Sequence, residues 1–147
     1  MSVKSQENNI KRIAELLSHD LGYIRGEREG GPNGDKKVFL NVGKAFLRAL
    51  GKDLGLRDVK VMSNAGGIAV SGECILYGMW EDGGIYISLG QMFGGKTILY
   101  RTIRNLNDHR GGYNHYISLA ELGNMSYEEL LNRFSALRRD TSYGLAA

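Results

Sequence analysis

Segment 68–103 contains three runs of β-branched and aromatic residues, separated by short turns that contain glycine. The runs read IAVSGECILYGMW, IYISLGQ and KTILYRTI, and the turns between them read EDGG and MFGG. Runs of this composition, bounded by turn-forming residues, are typical of strands joined by hairpins. Asp-Gly also tolerates the positive φ angles of a tight turn. The segment therefore predicts an antiparallel meander, and the rest of the chain must be arranged around it.

The meander needs cover on at least one face. Ile85, Ile87 and Leu89 alternate with less apolar residues, so the two-residue period of a strand places them on one face. In the first run, both parities carry apolar side chains. Either both faces are therefore partly covered, or Gly72 carries a bulge that shifts the register.

Amphipathic helices are predicted before and after the meander, and they would cover its apolar face. Apolar residues recur at helical spacing in three segments, 10–21, 42–54 and 130–137. We predict that Asn41 is the N-cap of the second helix, that Gly55 ends it, and that residues 58–64 form one more strand. Two capping boxes, Ser118 with Glu121 and Ser126 with Glu129, open helical segments after the meander. This order predicts an α+β fold, a four-stranded antiparallel meander with helices packed on one face.

The length of 147 residues and the hydrophobic content of 42% suit one core without disulfides or metals. We divide the chain into an N-terminal amphipathic helix (1–24), a charged, glycine-rich linker (25–37) and an α+β core domain (38–147), which together form one compact domain. The linker is either a solvated connector or an arm that orders on a partner.

Cysteine usage and hydropathy exclude several classes of protein. Cys74 is the single cysteine, so no intrachain disulfide framework exists, and no Cys/His spacing resembles a zinc site. We expect no metal, no cofactor and a packed, inert thiol at Cys74. No apolar run approaches the roughly 20 residues that span a bilayer, and no signal sequence is recognisable. We therefore expect a soluble, cytoplasmic protein without a membrane partner.

The charge of the chain is unevenly distributed. The net charge is +3 and the pI is near 9.0. Residues 58–95 carry one lysine against four acidic residues, whereas the flanking segments are basic. This balance permits an anionic partner such as nucleic acid, but it lacks the dense basic stripe that would indicate one unaided.

Residues Gly90–Thr97, GQMFGGKT, match the phosphate-binding pattern GxxxxGK[ST]. A phosphate cradle needs a helix after the loop, because the N–H groups of its first turn converge on the anion. Here TILYRTI follows and predicts a strand. We therefore favour a hairpin turn, with a small nucleotide-binding enzyme as an alternative.

The most polar segment follows the meander and interleaves basic, aromatic and amide side chains. Its binding candidates are Arg101, Arg104, Asp108, His109, Arg110, Tyr113, Asn114, His115 and Tyr116. Polar loops on a rigid sheet concentrate binding residues, arginine holds phosphate, and tyrosine or histidine stacks on a base. A structural surface loop, a protein interface and catalysis are the alternatives. A secondary basic surface is predicted at Lys96, Arg133, Arg138 and Arg139.

Catalytic residues are not predicted. Asp108, His109 and His115 supply at most an acid–base pair or two metal ligands, whereas a metal site needs three or four convergent ligands. A non-enzymatic role is therefore favoured over an enzymatic one.

The sequences GGIAVSGE, GMWEDGGIYI and LYRTIRNLNDHRGGYNHY resemble small uncharacterised proteins carried by phages and mobile elements of Gram-positive bacteria. The resemblance covers roughly residues 38–120 and includes no motif of known chemistry, so it transfers no catalytic residues. It implies an accessory role, such as handling the element's DNA or blocking a host defence complex.

Three functional hypotheses follow. The first is a non-enzymatic binding protein of a phage or mobile element, which engages nucleic acid or a nucleoprotein through the basic and aromatic loop. The second is a protein inhibitor of a host defence complex, similar to anti-CRISPR proteins, which acts by protein–protein contact. The third is the small nucleotide-binding enzyme.

Overall fold

The computed structural model describes residues 3–19, 21, 34–66, 70–108 and 112–139. Its elements are α1 (Val3–Leu17), α2 (Asp35–Asp53), β1 (Arg57–Asn64), β2 (Glu73–Trp80), β3 (Gly83–Gly90), β4 (Lys96–Ile103), β5 (His115–Ser118), α3 (Leu119–Gly123) and α4 (Tyr127–Ser135). Short 3₁₀ segments occupy Phe93–Gly95 and Ala136–Arg139. Within the described residues, no helix is long and apolar enough to span a bilayer. Most of the predicted linker, residues 25–33, lies outside them.

The five strands form one antiparallel sheet in the order β1-β2-β3-β4-β5. The α+β class and the antiparallel sheet are confirmed, but the prediction of four strands was wrong by one. The additional strand is β5, in which Ile117 pairs with Ile98 of β4. β5 has only four residues and ends a polar, glycine-rich segment. It therefore offers too short an alternating run to indicate a strand.

The core lies between one face of the sheet and the helices. The core side chains of that face, which the register aligns across the strands, are Val61, Cys74, Leu76, Ile85, Ile87, Leu89, Ile98, Tyr100 and Ile117. Ile13 of α1, Phe46 of α2 and Phe134 of α4 belong to the same cluster. The ring of Phe134 meets that of Tyr100 edge-on, with 5.0 Å between the centroids. The helices therefore pack on one face, as predicted.

Helix α2 lies close to strand β2 because two of its glycines face the sheet. A Cβ atom on Gly43 would lie 2.6 Å from the Sγ of Cys74, and one on Gly51 would lie 3.1 Å from a methyl group of Leu76. A larger residue at Gly43 would push the helix away from the sheet, and one at Gly51 would require its neighbours to shift by a few tenths of an ångström. These glycines therefore set the distance between the two layers.

Helix α2 begins earlier than the sequence indicates, at Asp35 and not after Asn41. Phe39 is fully buried and extends the apolar stripe of Phe46 towards the N-terminus. Burial of Phe39 thus favours a helix that begins before Asn41. Asn41 is exposed within this helix and is not its N-cap. The predicted end is confirmed, because Gly55 takes a φ of 71° after the last turn.

Strands β2 and β3 pair without interruption along all eight residues of each. The predicted hairpin between them is confirmed, with Glu81 and Asp82 as its loop. Gly72 lies before β2 and does not disturb its register. The irregular pairing is in β1, between Arg57 and Lys60.

Both predicted capping boxes are present at the starts of α3 and α4. Ser118 Oγ accepts a hydrogen bond from the Glu121 N–H at 3.1 Å, and Ser126 Oγ accepts one from the Glu129 N–H at 3.0 Å. In each box the glutamate carboxylate accepts a hydrogen bond from the backbone N–H of the serine. The boxes satisfy N–H groups that a helix start leaves without partners.

The substitution Gly43→Ala tests the close approach of α2 to the sheet. The added methyl group would overlap Cys74 Sγ, and overpacking costs about 1–3 kcal/mol, against about 1 kcal/mol gained in helix propensity. The net cost is therefore roughly 0–2 kcal/mol. Because the 2.6 Å contact lies well inside van der Waals distance, we expect the free energy of unfolding, measured by urea denaturation, to fall by roughly 1–2 kcal/mol.

Gly123→Ala is the matched control, because a Cβ there would meet no atom within 4 Å. Adding Cys74→Ala to Gly43→Ala should recover part of the lost stability, since it removes the clashing sulfur. Unchanged or increased stability of Gly43→Ala would contradict the proposed role of the glycine.

Candidate functional site

The face of the sheet opposite the helices carries aromatic, aliphatic and basic side chains. We call it the open face and define it by Lys60, Met62, Ile75, Tyr77, Tyr86, Leu99, Arg101 and Tyr116, which alternate with the core residues along the strands. Met62 is 44% exposed and Tyr116 is 40% exposed, whereas Tyr77, Tyr86 and Arg101 are half-buried and Ile75 is buried. Apolar and aromatic groups gathered on an accessible surface are typical of interaction sites.

A row of four side chains crosses the centre of the open face. Lys60 pairs with Tyr77, Tyr77 with Tyr86, and Tyr86 with Arg101 on successive strands. The rings of Tyr77 and Tyr86 have centroids 5.2 Å apart and are tilted by 57°. The row therefore presents two aromatic rings with a cation on either side.

A pocket of about 210 Å³ lies at one end of the open face. Its polar lining comprises Asn64, Ser71, Glu73, Ser88 and Gln91. The Ser88 hydroxyl donates a hydrogen bond to Glu73 Oε2 at 2.9 Å. Burial raises the pKa of the Tyr86 hydroxyl, and the negative charge of Glu73 raises it further. Tyr86 therefore stays neutral at physiological pH, and Glu73 is the acidic residue that lines the pocket beside the row.

Arg101 connects the open face to the loop that follows β4. Its Nη1 donates to Asn114 Oδ1 at 3.1 Å, and its Nη2 donates to the Gly112 carbonyl at 2.9 Å. Gly112 lies directly against β4, because a Cβ there would be 2.5 Å from the carbonyl oxygen of Thr102. These contacts hold the positive charge of Arg101 in a fixed position beside Tyr86.

Several predicted binding residues are accessible near this connection. Tyr113 is 68% exposed, and Asn114 and Tyr116 are also exposed. The Nζ of Lys96 lies 4.3 Å from the centroid of the Tyr116 ring. The structure thus gathers Lys96, Arg101, Asn114 and Tyr116 around one edge of the open face.

Three other predicted residues have different surroundings. His115 lies on the core side of β5, where its ring stacks on Tyr100 with 5.2 Å between centroids and 27° between planes. Strand alternation causes this placement, since neighbouring residues of β5 point to opposite faces. Arg104 and Asp108 close a tight turn in which the Arg104 N–H donates to the Asp108 carbonyl at 3.0 Å. His115 therefore packs on the core side of the sheet, and Arg104 and Asp108 contribute to the turn.

Three predicted residues fall beyond what the structure describes. His109 and Arg110 lie outside the described residues, and so does the side chain of Arg139. Their roles stay predictions.

The predicted secondary basic surface is divided between the two sides of the sheet. Arg133 forms an ion pair with Glu121 at 3.4 Å, and Arg138 lies 3.9 Å from a carboxylate oxygen of Asp82. Both arginines lie on the helix side, whereas Lys96 lies against Tyr116 at the open face. The structure therefore does not bring these three cations together.

The Gly90–Thr97 segment is a turn between antiparallel strands. The Met92 N–H donates to the Lys96 carbonyl at 2.9 Å, and β4 begins at Lys96. The Thr97 side chain is buried, and its hydroxyl donates to the Ile117 carbonyl at 3.3 Å. A strand follows this turn where a phosphate cradle requires a helix. The hairpin prediction is confirmed.

Cys74 is enclosed between the sheet and α2. It has no exposed surface, and its Sγ lies 3.4 Å from the Leu40 carbonyl oxygen. Burial raises the pKa of the thiol to about 12. Because the thiolate is the reactive form, this thiol is inert at neutral pH. In the part of the chain that the structure describes, no group of three His, Cys, Asp or Glu residues is arranged to hold a metal ion.

Cys74 should resist thiol reagents while the protein is folded. At pH 8 we expect no reaction with an aromatic disulfide reagent in buffer and complete reaction in urea. Because the folded pKa exceeds the ordinary value of 9.0, the stability contributed by the buried neutral thiol is complete below pH 9 and is lost as the pH rises towards 12. The urea midpoint should therefore fall above pH 9 more in the wild type than in Cys74→Ala. Rapid labelling without urea would contradict this.

Sequence reasoning missed Lys60, Tyr77 and Tyr86 as site residues. The signal was present in the hairpin between β2 and β3, because a two-residue loop at 81–82 places Tyr77 opposite Tyr86. Tyr86 alternates with the core residues Ile85 and Ile87 of β3, and Tyr77 is its partner on β2. Both rings therefore point away from the core. Lys60 had no such signal, since the irregular pairing of β1 is invisible in the sequence.

A scan against protein-family models matches none of them, and searches of curated proteins and of solved structures find no match. The geometry of the open face is therefore the basis for a functional proposal.

Proposed function

We propose that this chain is a non-enzymatic protein that binds single-stranded nucleic acid on its open face. The observation that carries the proposal is the central row, in which the paired rings of Tyr77 and Tyr86 lie between Lys60 and Arg101. Proteins that bind single strands combine aromatic side chains, on which bases stack, with cations that contact the phosphates. The row offers both on one face of a rigid sheet.

The aromatic groups support base stacking. Tyr77 and Tyr86 are half-buried, so their rings are held in place yet accessible from solvent. Tyr116, on the edge strand, adds a third accessible ring. Stacking on an aromatic side chain contributes about 1–3 kcal/mol per base and tolerates any sequence.

The charges of the open face support one path for the phosphates. Lys60 and Arg101 stand at the two ends of the row, and Lys96 lies beside Tyr116. Glu73 carries a negative charge in the pocket, which repels phosphate and accepts hydrogen bonds from donor groups of a base. The backbone of a bound strand would therefore run across the β-strands, from Lys60 towards Arg101.

The loop after β4 supports an extension of this surface. Tyr113 and Asn114 are exposed next to Arg101, which holds the loop through Asn114 and Gly112. The loop proposed from the sequence thus borders the central row and adds polar and aromatic groups to it.

An origin in a phage or mobile element is part of the proposal and is supported by the sequence resemblance alone. Inhibition of a host defence complex is the competing proposal, in which a protein would cover the same face. It requires one stoichiometric protein partner and no binding of free DNA or RNA. Binding of free single-stranded DNA and RNA, measured by fluorescence anisotropy, distinguishes the two proposals.

Binding of a fluorescent, mixed-sequence single strand should weaken steeply as salt is added. Three phosphate contacts, each with a slope of about 0.7, would reduce affinity roughly 20-fold between 50 and 200 mM salt. Fluorescence anisotropy measures this with DNA and with RNA. Affinity that is flat over this range would refute the phosphate contacts, and no binding of either strand would favour a protein partner.

Tyr77→Ala and Tyr86→Ala should each weaken binding between about 5-fold and 150-fold, because each removes one stacking surface. Tyr77→Phe and Tyr86→Phe keep the ring and should stay within about twofold of the wild type. Lys60→Gln should reduce the salt slope by about 0.7.

Lys11→Gln is the matched control for the loss of charge, because Lys11 is exposed on α1 at the helix side. Circular dichroism confirms that each variant is folded. If the alanine variants bind as well as the phenylalanine variants, the rings do not stack on bases and the central row is not the binding site.

A further inference from the structure

Strand β1 forms one edge of the sheet and, among the described residues, pairs only with β2. The pairing is irregular between Arg57 and Lys60, and then regular from Lys60 to Asn64. An edge strand presents N–H and C=O groups that another chain can pair with. The regular part of β1 is as long as an average strand, so it offers a template for one more strand.

A groove of about 370 Å³ lies beside this edge, between β1 and α2. Leu56, Val59 and Val61 form its apolar floor, and Arg48 and Lys52 of α2 form its basic rim. Val59 is 37% exposed. The groove therefore fits alternate apolar side chains of a strand added to β1, since such side chains would point towards α2.

The charge around the groove indicates the chemistry of its occupant. Arg48 and Lys52 are exposed on α2, and Arg57 and Lys60 are exposed on β1. None of these four cations forms an ion pair with a described residue. The groove is thus complementary to carboxylate groups.

We propose that β1 and this groove dock an extended, acidic segment of a partner protein. The backbone of the segment pairs with Lys60–Asn64. Among its side chains that point towards α2, apolar ones contact Val59 and Val61, and carboxylates meet Arg48 and Lys52. A second copy of this chain is disfavoured, because pairing β1 with β1 would bring two sets of the same cations together. Nucleic acid is disfavoured, because the floor is aliphatic and offers no ring for stacking.

A fluorescein-labelled peptide with threonine at every second position is the probe, and fluorescence anisotropy is the measurement. Valine and glutamate alternate at the positions between the threonines, so that both point towards α2 in an added strand. The probe should bind more tightly than the same peptide with lysine in place of glutamate. It should also bind about fivefold more tightly than a peptide with the same residues in two blocks, because only the regular order places valine and glutamate together on the groove side. On binding, amide hydrogen exchange should slow within Lys60–Asn64.

The double substitution Arg48→Gln with Lys52→Gln should weaken binding of the probe peptide about five- to tenfold. Both side chains are exposed, so the fold should be unaffected. Lys11→Gln with Arg12→Gln removes the same charge from the exposed side of α1 and should change the affinity less than about twofold. Lys60 is left unchanged because it also belongs to the open face.

Three outcomes would overturn the proposal. Equal affinity for the probe and block peptides would leave only non-specific electrostatic attraction. Equal effects of the two double substitutions would place the peptide elsewhere. A single-stranded oligonucleotide that competes with the peptide, and whose binding is lost in Arg48→Gln with Lys52→Gln, would assign the groove to phosphate. The tyrosine variants of the open face should not alter peptide binding, so this proposal and the nucleic-acid proposal fail independently.

Discussion

The close packing of α2 against β2 determines which surfaces of this molecule are available for binding. Gly43 and Gly51 let the helix approach the sheet until their Cα atoms lie against Cys74 and Leu76. The helices complete a core on that side alone, with most of its apolar side chains fully buried. The opposite face keeps its own row of side chains in reach of solvent. The candidate site lies on the open face because hydrophobic burial is concentrated on the other side of the sheet.

The two proposed surfaces differ in chemistry and share only strand β1. The open face combines tyrosine rings with separated cations, which suits planar groups carried on an anionic backbone. The groove beside α2 combines aliphatic side chains with cations and the free edge of a strand, which suits a polypeptide. Under the two proposals together, the protein would hold a nucleic acid and a protein at once.

Much of the fold follows from local sequence signals, because the strands of the meander are long, strongly β-forming and separated by clear turns. The α+β class, the hairpin at 81–82, the end of α2 and the capping boxes were predictable on this basis. The start of α2 and strand β5 were not. Burial of Phe39 extends the helix N-terminally into residues 35–37, which were predicted to belong to the charged linker, and β5 is held by its pairing with β4 despite its short length. Long-range contacts of this kind leave no local pattern.

The candidate site was predictable only in part, because strand pairing brings its residues together. The polar segment after β4 was recognisable from its composition, but its division between the two faces depends on the register of β5, which sends His115 to Tyr100 and Tyr116 to the surface. The spacing of the Tyr77 and Tyr86 rings, 5.2 Å, follows the separation of neighbouring strands. Successive bases in a duplex are only about 3.4 Å apart along each strand. Under the proposed function, bases stacked on these two rings would lie farther apart than in a duplex, which favours a single strand over a double helix.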